Sequence, residues 1–475
     1  MSGKTPDAQL HEGEYDPERH AGLYGVRRFQ AMSAVLLALV LSVLDYAIAN
    51  VALPTIAQAL HTSPSRAIWV VNAYQLANLS CLLPLAAIGG RIGFARMNQL
   101  GLIIFMIASV ACALSQSILE LTLARALQGV GGACIMSVNI GLVRFIYPHR
   151  LLGRGIALNG LFVGLGVATG PTLGAFILAR AGWPWIFWIN LPLGLAAFIL
   201  SVLAMPKTPR SPHPVDIQGG ILTVLAFAVT GLGLDSLMHA DFWPGISLTL
   251  AGIGFWIWLL HWQKAHHEPI VPVDLLARRP FFIACLVSFC GFVASNLYIV
   301  AMPFSLVDTF HRSTTIVGLL IAPWAAGVAI MSFLVGRVSD RIPATILSSL
   351  GLMVTGTAFA LLWLLPPEAT NAMIAWRTLL GGLGFGLFQP PNNRAIMVTA
   401  PPGREAGASG MLSVSRLSGQ TIGAFLVAGI FTVFSHPAFL CLGAASFVAF
   451  LGASLSAGRG LFRPRRLITQ NSTRP

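Results

Sequence analysis

The amino-acid sequence predicts an all-α polytopic membrane protein of about 14 transmembrane helices, arranged as two six-helix bundles plus an inserted two-helix hairpin. Its 475 residues have a mean hydropathy of +0.77. Only 9% of them are charged, whereas soluble domains carry about 25% charge. Apolar runs of membrane length recur along the chain, and short motifs appear twice in the same order. These observations exclude a soluble enzyme and indicate a duplicated bundle.

Fourteen apolar segments of about 20 residues predict the membrane-spanning helices. In chain order they are 30–52, 68–88, 97–114, 118–142, 155–178, 185–204, 217–237, 245–262, 281–304, 315–335, 345–365, 371–398, 408–431 and 437–455. The predicted domains are a cytosolic tail (1–28), the first bundle (29–205), the hairpin (206–265), the second bundle (266–457) and a basic cytosolic tail (458–475).

The two bundles are predicted from motifs that repeat at nearly constant spacing. Arg91 follows the second span and Arg341 follows the tenth, 250 positions later. Arg125 lies in the fourth span and Arg377 in the twelfth, 252 positions later. Two such bundles usually place a substrate site between them, near the membrane midplane.

The distribution of basic residues predicts that both termini lie in the cytoplasm. Segments on the side of the N-terminus hold 23 of the 29 Lys and Arg residues, the loops on the other side hold three, and three lie within spans. Cytoplasmic loops carry such an excess of positive charge. Because the basic residues are spread thinly over these loops, the net charge of +13 does not indicate a nucleic-acid partner.

The sequence lacks the residue patterns that would indicate a metal site or an enzyme active site. The six cysteines lie in apolar spans, where they are typical buried small side chains. No His, Cys and carboxylate set has the spacing of a metal site, and no paired carboxylates or nucleophile–base set indicates an enzyme. We therefore expect no metal and no cofactor.

Asp45 is the only one of the 16 acidic residues that lies deep inside a long apolar span. A carboxylate there costs several kcal/mol unless it is paired, hydrated or protonated. Arg125 lies about as far from the outer end of its span as Asp45 does from its own, so the two could pair. We predict that Arg125 or a cationic substrate holds deprotonated Asp45 and that protonation releases it. The alternative is a static ion pair that only fixes packing.

Four segments resemble one protein family. Residues 124–129, around Arg125, resemble the fourth-helix motif of the major facilitator superfamily, and residues 166–174 resemble its antiporter motif. Residues 44–54, which begin at Leu44 and include Asp45, and residues 183–192 resemble its fourteen-span drug:proton antiporter family. The resemblance covers residues 27–459 and implies the major facilitator fold.

The resemblance also implies roles for two sets of residues: a close-packed hinge at Gly166, Gly170, Pro171 and Gly174, and cytoplasmic gating loops with Arg91, Gly93, Asp340 and Arg341. The glycines recur every four residues and would let a neighbouring helix approach closely. The alternative for Arg91 and Arg341 is ordinary positive-inside topology. Two positions depart from the family: Gly90 replaces an Asp and Ala47 replaces a Thr.

Polar and aromatic side chains within the spans are candidates for the substrate cavity: Asn72, Tyr74, Gln75, Gln128, Asn296, Tyr298, Phe388, Gln389 and Asn392. For each of them an interhelical hydrogen bond is an equally good interpretation. Arg377 and Arg416 are further cations within spans, and the resemblance suggests structural or coupling roles for both. Asp235 and Asp308 lie near helix ends, where we expect them to be solvated.

The expected function is a proton-coupled antiporter of the multidrug efflux type that exports drug-like, lipophilic, cationic compounds across the bacterial cytoplasmic membrane by alternating access. Its partners would be a small-molecule substrate, protons and the lipid bilayer. We expect a monomer, and nothing in the sequence indicates a periplasmic adaptor protein. The alternatives are a dedicated exporter of one metabolite (a siderophore, a polyamine or an antibiotic), a lipid flippase, or a membrane scaffold that transports nothing.

Overall fold

The structure is a computed structural model that describes residues 22–148, 151–206, 208, 215–238, 241–264, 270–338, 342–366, 368–401, 404–434 and 437–461. Every secondary-structure element in these ranges is helical. The helices are α1 Gly25–Ala59, α2 Pro64–Ala67, α3 Trp69–Ile92, α4 Phe94–Leu114, α5 Ile118–Ile146, α6 Leu152–Ala181, α7 Trp185–Trp188, α8 Asn190–Ala204, α9 Ile217–Met238, α10 Phe242–Lys264, α11 Val273–Leu276, α12 Arg279–Phe304, α13 Thr314–Val338, α14 Ala344–Trp363, α15 Asn371–Thr399, α16 Glu405–Val433 and α17 Pro437–Leu461. A π-helical turn, Ser305–Thr309, extends α12.

The all-α membrane fold is confirmed. Among the described residues, fourteen helices have 15 or more residues, and twelve stretches are long and apolar enough to cross a membrane. The other two long helices, α6 and α15, have 30 and 29 residues. Most helices run beyond the predicted spans, because their ends continue into polar residues that hydropathy does not count. The first, for example, was predicted for 30–52 but covers Gly25–Ala59.

The long helices pack as two groups that meet along three helix pairs. In the first group α1 packs against α6 and α8, α3 against α5, and α4 against α5. In the second group α12 packs against α16 and α17, α14 against α15 and α17, and α13 against α15. The groups meet where α1 contacts α12, α3 contacts α16 and α6 contacts α13. Asp45 therefore lies on a helix that contacts the second bundle directly.

The hairpin of α9 and α10 lies against both bundles. α9 packs along α10 and also contacts α3 of the first bundle and α16 of the second. On α9, Asp235 is buried and accepts a hydrogen bond from the Trp69 indole at 3.0 Å. The expectation that Asp235 is solvated is therefore wrong, because α3 covers this end of α9. Asp308 is exposed, as expected.

The bundles are joined at the predicted outer end, where α1 ends and α3 begins. The Ser65 hydroxyl lies 3.2 Å from the carbonyl oxygen of Ala428 and 2.8 Å from the Thr432 hydroxyl. One turn further, the rings of Trp69 and Phe425 lie 6.3 Å apart. These contacts close the outer end, where α2 and the start of α3 pack against α16.

At the opposite end, the turn between α3 and α4 depends on Gly93. Its φ of 101° is one that side chains with a Cβ rarely adopt. A Cβ there would also lie 3.1 Å from the Thr208 hydroxyl. Arg91 is exposed, and Gly90 has open space around it. The other predicted gating residues, Asp340 and Arg341, lie outside the described residues.

Candidate proton-coupling site

Asp45 and Arg125 form an ion pair in the interior of the first bundle. Arg125 Nη1 lies 2.5 Å from Asp45 Oδ2, and the two side chains are 0% and 1% exposed. The carboxylate is carried by α1 and the guanidinium by α5. A buried pair of this kind is stable only when further hydrogen bonds satisfy the remaining polar atoms of both groups.

Those further bonds come from three neighbouring helices. Asp45 Oδ1 accepts from Asn190 Nδ2 at 2.7 Å and from Gln128 Nε2 at 2.9 Å. The hydroxyl of Ser109 accepts from Gln128 at 2.9 Å and from Asn190 at 3.3 Å. Arg125 Nη1 also donates to Gln128 Oε1 at 2.5 Å. α1, α4, α5 and α8 are thus linked by one network around the carboxylate.

Sequence reasoning missed two members of this network, Ser109 and Asn190. Asn190 lies in the segment 183–192 that resembled the drug:proton antiporter family, so a signal was present. Its location beside Asp45, 145 positions away in the chain, was not predictable from that segment. Gln128 was predicted as a cavity residue, but its side chain is fully buried within the network.

Arg125 is held on its other side by a carbonyl and two aromatic rings. Its Nε donates to the carbonyl oxygen of Val70 at 2.8 Å. The guanidinium lies 4.5 Å from the ring centre of Tyr74 and 5.7 Å from that of Phe187, so both rings offer cation–π stabilisation. Tyr74, a predicted cavity residue, is buried and forms part of the arginine's pocket.

Protonation would disrupt this arrangement in a defined way. A neutral carboxyl group no longer balances the charge of Arg125, and an unbalanced buried cation is strongly destabilising. The protonated oxygen would also have to donate, although it now faces the donor groups of Arg125, Gln128 and Asn190. Protonation of Asp45 would therefore weaken the contacts that hold α1 against α5 and α8.

Tyr46, the residue after Asp45, reaches the second bundle. Its hydroxyl donates to Asn296 Oδ1 on α12. Asn296 Nδ2 in turn donates to the carbonyl oxygen of Gln420 on α16 at 2.5 Å. Tyr46 and Asn296 are 250 positions apart, the same spacing as between Arg91 and Arg341 in the predicted repeat. Asn296 was a predicted cavity residue and Tyr46 was not.

The sequence profile of the Major Facilitator Superfamily matches residues 35–294 and 284–472. The chain belongs to this superfamily. It is 40% identical over 453 residues to the uncharacterized transporter YebQ of Escherichia coli (strain K12), covering 94% of this chain and 98% of YebQ. It is 28% identical over 408 residues to the multidrug export protein EmrB of the same strain, covering 84% of this chain and 79% of EmrB.

Two further similarities extend this comparison. The chain is 26% identical over 381 residues to the riboflavin transporter RibZ of Clostridioides difficile (strain 630), covering 80% of this chain and 83% of RibZ. The crystal structure of the peptide transporter POT superposes with a TM-score of 0.70 at 15% identity, covering 94% of this chain and 99% of that one. This last similarity concerns the fold alone. The predicted superfamily is confirmed, and these relatives are transporters.

The antiporter motif of this superfamily member packs against α1 at the level of Asp45. Gly166, Gly170 and Gly174 of α6 face Val43, Ala47 and Ile48, and a Cβ on Gly170 would overlap that of Ala47. The adjoining face of α6 meets α13 of the second bundle, where a Cβ on Gly318 would lie 2.8 Å from the Pro171 carbonyl oxygen. The glycine row thus faces its own bundle, while Pro171 lies at the bundle interface.

Three predicted cavity residues lie inside the second bundle instead. Tyr298 stacks on Trp324 and Phe359, with ring centres 4.9 and 5.2 Å apart. Phe388 packs edge-on against Phe385 at 5.5 Å, and Asn392 Nδ2 donates to the Ala284 carbonyl oxygen at 3.1 Å. Each is almost completely buried. Neighbouring helices of the same bundle cover Tyr298, Phe388 and Asn392 in this conformation, so their role in a substrate cavity stays a prediction.

The remaining candidates lie nearer the bundle interface. Asn72 and Gln75 share the face of α3 that continues to Leu79 and Leu83, and Leu83 packs against α16. Both amides are buried and make no hydrogen bond of normal geometry with the described residues, although Gln75 lies beside the Tyr46 hydroxyl. Gln389 on α15 is half-buried.

Proposed function

We propose that this protein is a proton-coupled antiporter that exports lipophilic, drug-like compounds by alternating access. The observation that carries the proposal is the Asp45–Arg125 pair, which is buried, has both carboxylate oxygens hydrogen-bonded, and lies next to a contact between the bundles. An ionisable group inside a membrane bundle is expensive to keep and usually serves a proton or ion pathway. The similarity to EmrB, a multidrug export protein, supports the choice of cargo.

The mechanism uses the two contacts of neighbouring residues on α1. Proton uptake at Asp45 removes the counter-charge of Arg125 and weakens the network that links α1 to α5 and α8. The resulting movement of α1 is transmitted to α12 through the bond between Tyr46 and Asn296. The two bundles then move relative to each other, so that the outer end opens and the cytoplasmic end closes. Proton entry is worth about 2.3 kcal/mol per charge for each 100 mV of membrane potential.

The test is export of a fluorescent dye from cells or into inside-out vesicles with an imposed proton gradient. We expect Asp45→Asn to abolish gradient-driven transport, because the amide cannot bind and release the proton, while Asp45→Glu retains part of it. Asp308→Asn is the matched control, since this acid is exposed. All variants are purified and their thermal unfolding measured, so that loss of coupling is separated from loss of fold. Full gradient-driven export by Asp45→Asn would disprove the proposed coupling.

We further propose that the protein is a monomer in the bacterial cytoplasmic membrane with both termini in the cytoplasm. The excess of basic residues in the loops on the N-terminal side supports this orientation. Fusions of a green fluorescent protein to either end should fluoresce, and fusions of a periplasm-dependent phosphatase to the same ends should be inactive. The reverse pattern at either end would contradict the orientation.

A second candidate function is the transport of one metabolite. The similarity to RibZ, a riboflavin transporter, favours it, because that relative is named for a single compound. Comparing a drug-resistance panel with the metabolites accumulated by a deletion strain separates the two functions. A multidrug exporter changes resistance to several unrelated compounds, whereas a dedicated exporter changes the level of one metabolite.

A further inference from the structure

One face of α16 carries a polar stripe within the membrane-spanning region. Ser409, Ser413, Arg416 and Gln420 follow one another at spacings of four, three and four residues, which places them on the same helical face. All four are half-buried, so each keeps some accessible surface inside the molecule. Lipid-facing helix surfaces are apolar, so a polar stripe at this depth indicates an inward-facing surface.

The packing of α16 on either side of the stripe fixes where it faces. On one flank, Val414 and Leu417 belong to a cluster with Leu79 and Leu83 of α3. On the other flank, Gly419 meets α12, where a Cβ would lie 2.6 Å from the Phe289 carbonyl oxygen. The stripe therefore points between α3 and α12, towards the space between the bundles.

Accessibility along this face decreases towards the predicted outer end. The stripe is half-buried from Ser409 to Gln420, whereas Val427, two turns further on the same face, is 0% exposed. The Ser65 and Trp69 contacts close the bundles just beyond it. The accessible surface is thus reached from the predicted cytoplasmic side, and Arg416 lies near its inner limit.

Arg416 has no partner for its charge among the described residues. Arg416 lies deep in the protein and within electrostatic range of the Tyr74 phenol, yet within the described ranges its guanidinium forms no hydrogen bond and no ion pair. Asp45, the buried acid of the first bundle, has both oxygens bonded by Arg125, Gln128 and Asn190. A guanidinium stays charged under all physiological conditions and is costly without a counter-ion. The charge of Arg416 is therefore left to be balanced by an anion that enters the space between the bundles.

We infer that Arg416 selects the charge of the cargo, which is a lipophilic organic anion bearing a carboxylate, sulfonate or phenolate. This inference rests on the proposed export function and names its substrate class. The sequence favoured cations because one carboxylate could bind them, but in the structure the charge of that carboxylate is already paired with Arg125. A guanidinium fork matches a carboxylate or sulfonate through paired hydrogen bonds, and the adjoining leucines of α3 and α16 would cover the apolar body.

The experiment compares two dyes that share a xanthene ring system, anionic fluorescein and cationic rhodamine 6G. Binding to the purified protein in neutral detergent is followed by fluorescence anisotropy at low salt. We expect the wild type to bind fluorescein at least about tenfold more tightly than rhodamine 6G. Arg416→Gln should lose at least tenfold in fluorescein affinity, and Arg416→Lys should lose less because it keeps the charge.

Arg180→Gln is the matched control, because it removes the same unit of charge from an exposed arginine that stacks on Phe176 at 4.4 Å. It should bind both dyes as the wild type does. Fluorescein affinity that is unchanged in Arg416→Gln, or equally reduced in Arg180→Gln, would overturn the inference. So would tighter binding of rhodamine 6G by the wild type.

Failure of this inference is distinguishable from failure of the proposed function. Gradient-driven export of an uncharged dye, Nile red, depends on Asp45 and not on Arg416. If Asp45→Asn abolishes that export while Arg416→Gln leaves fluorescein binding intact, the function holds and the charge selection is wrong. If Asp45→Asn exports fully but Arg416→Gln loses fluorescein binding, the charge selection holds and the coupling is wrong.

Discussion

Tyr46 joins the helix of Asp45 to the second bundle through a single side-chain hydrogen bond. The hydroxyl donates to Asn296, and the Tyr46 carbonyl oxygen accepts from Asn50 Nδ2 at 2.8 Å. Asp45 and Tyr46 are consecutive residues of α1, so a movement of α1 at Asp45 also displaces the Tyr46 hydroxyl from Asn296. The bond therefore stabilises the arrangement in which the outer end is closed.

Replacing Tyr46 with Phe removes this bond and the hydroxyl that lies beside Gln75, and it keeps the aromatic ring. We expect Tyr46→Phe to destabilise the closed outer end by about 1 kcal/mol, the typical net value of one hydrogen bond. The measurement is the rate of disulfide formation between cysteines placed at Ser65 and Thr432, whose hydroxyls lie 2.8 Å apart. That rate should fall about fivefold.

Tyr24→Phe is the control for the same chemical change, since Tyr24 is 65% exposed near the start of α1. It should leave the cross-linking rate unaltered. If Tyr46→Phe cross-links as fast as the wild type, the bond to Asn296 does not help to hold the outer end closed.

At the scale of elements, α6 and α1 pack at a distance that only small side chains permit. The closest approach is between Gly170 and Ala47, where an added methyl group would overlap the existing one. Ala47 replaces the larger Thr of the family motif. The two positions are therefore matched in size, and this packing holds α6 against α1 one turn or less from Asp45 and Tyr46.

We expect Gly170→Ala to lower the thermal unfolding midpoint in detergent, because overpacking of this kind costs about 1–3 kcal/mol. The second substitution Ala47→Gly should restore most of the loss by recovering the space. Gly254→Ala is the control, since no atom lies within 4 Å of a Cβ there. A double variant no more stable than Gly170→Ala would mean that the overlap is not the cause.

At the scale of the whole molecule, the hairpin of α9 and α10 packs against both bundles and connects them. It contacts α3 and α16, two of the helices that close the outer end. Trp69 takes part in both contacts, since its indole donates to Asp235 and its ring packs against Phe425. The hairpin thus stabilises the bundle interface from the side.

Asp235 provides a test of whether this buried acid is structural. Asp235→Asn keeps an oxygen that accepts from Trp69, so we expect nearly unchanged stability and full proton-driven export. Asp235→Leu leaves the indole N–H unpaired and should lower the thermal unfolding midpoint, since a buried unpaired donor costs about 1–3 kcal/mol. Loss of gradient-driven export in Asp235→Asn, with its fold intact, would instead make Asp235 a second coupling acid.

The sequence was sufficient to predict the helices and the identity of the central pair. Hydropathy locates spans because every apolar segment must be covered by lipid or protein, and a lone acid such as Asp45 stands out against it. The partners Ser109 and Asn190 could not be predicted, because a Ser or Asn in a span has the same local sequence whether it faces a carboxylate or a backbone carbonyl. The same ambiguity applies to Tyr298 and Phe388. The helices that carry these residues were predicted. Which neighbours each side chain faces depends on the rotation of its helix about the helix axis, and packing between distant segments sets that rotation.

The repeat that pairs Tyr46 with Asn296 places Ser295, which bonds to the Phe292 carbonyl oxygen at 3.1 Å, opposite Asp45. One half of the predicted repeat has an acid at this position and the other half has a serine. If Asp45 alone carries the proton in the proposed antiport, each cycle moves one proton, and that stoichiometry would limit the work of export. For an uncharged cargo the limit is a concentration ratio of roughly 50-fold for each 100 mV of driving force.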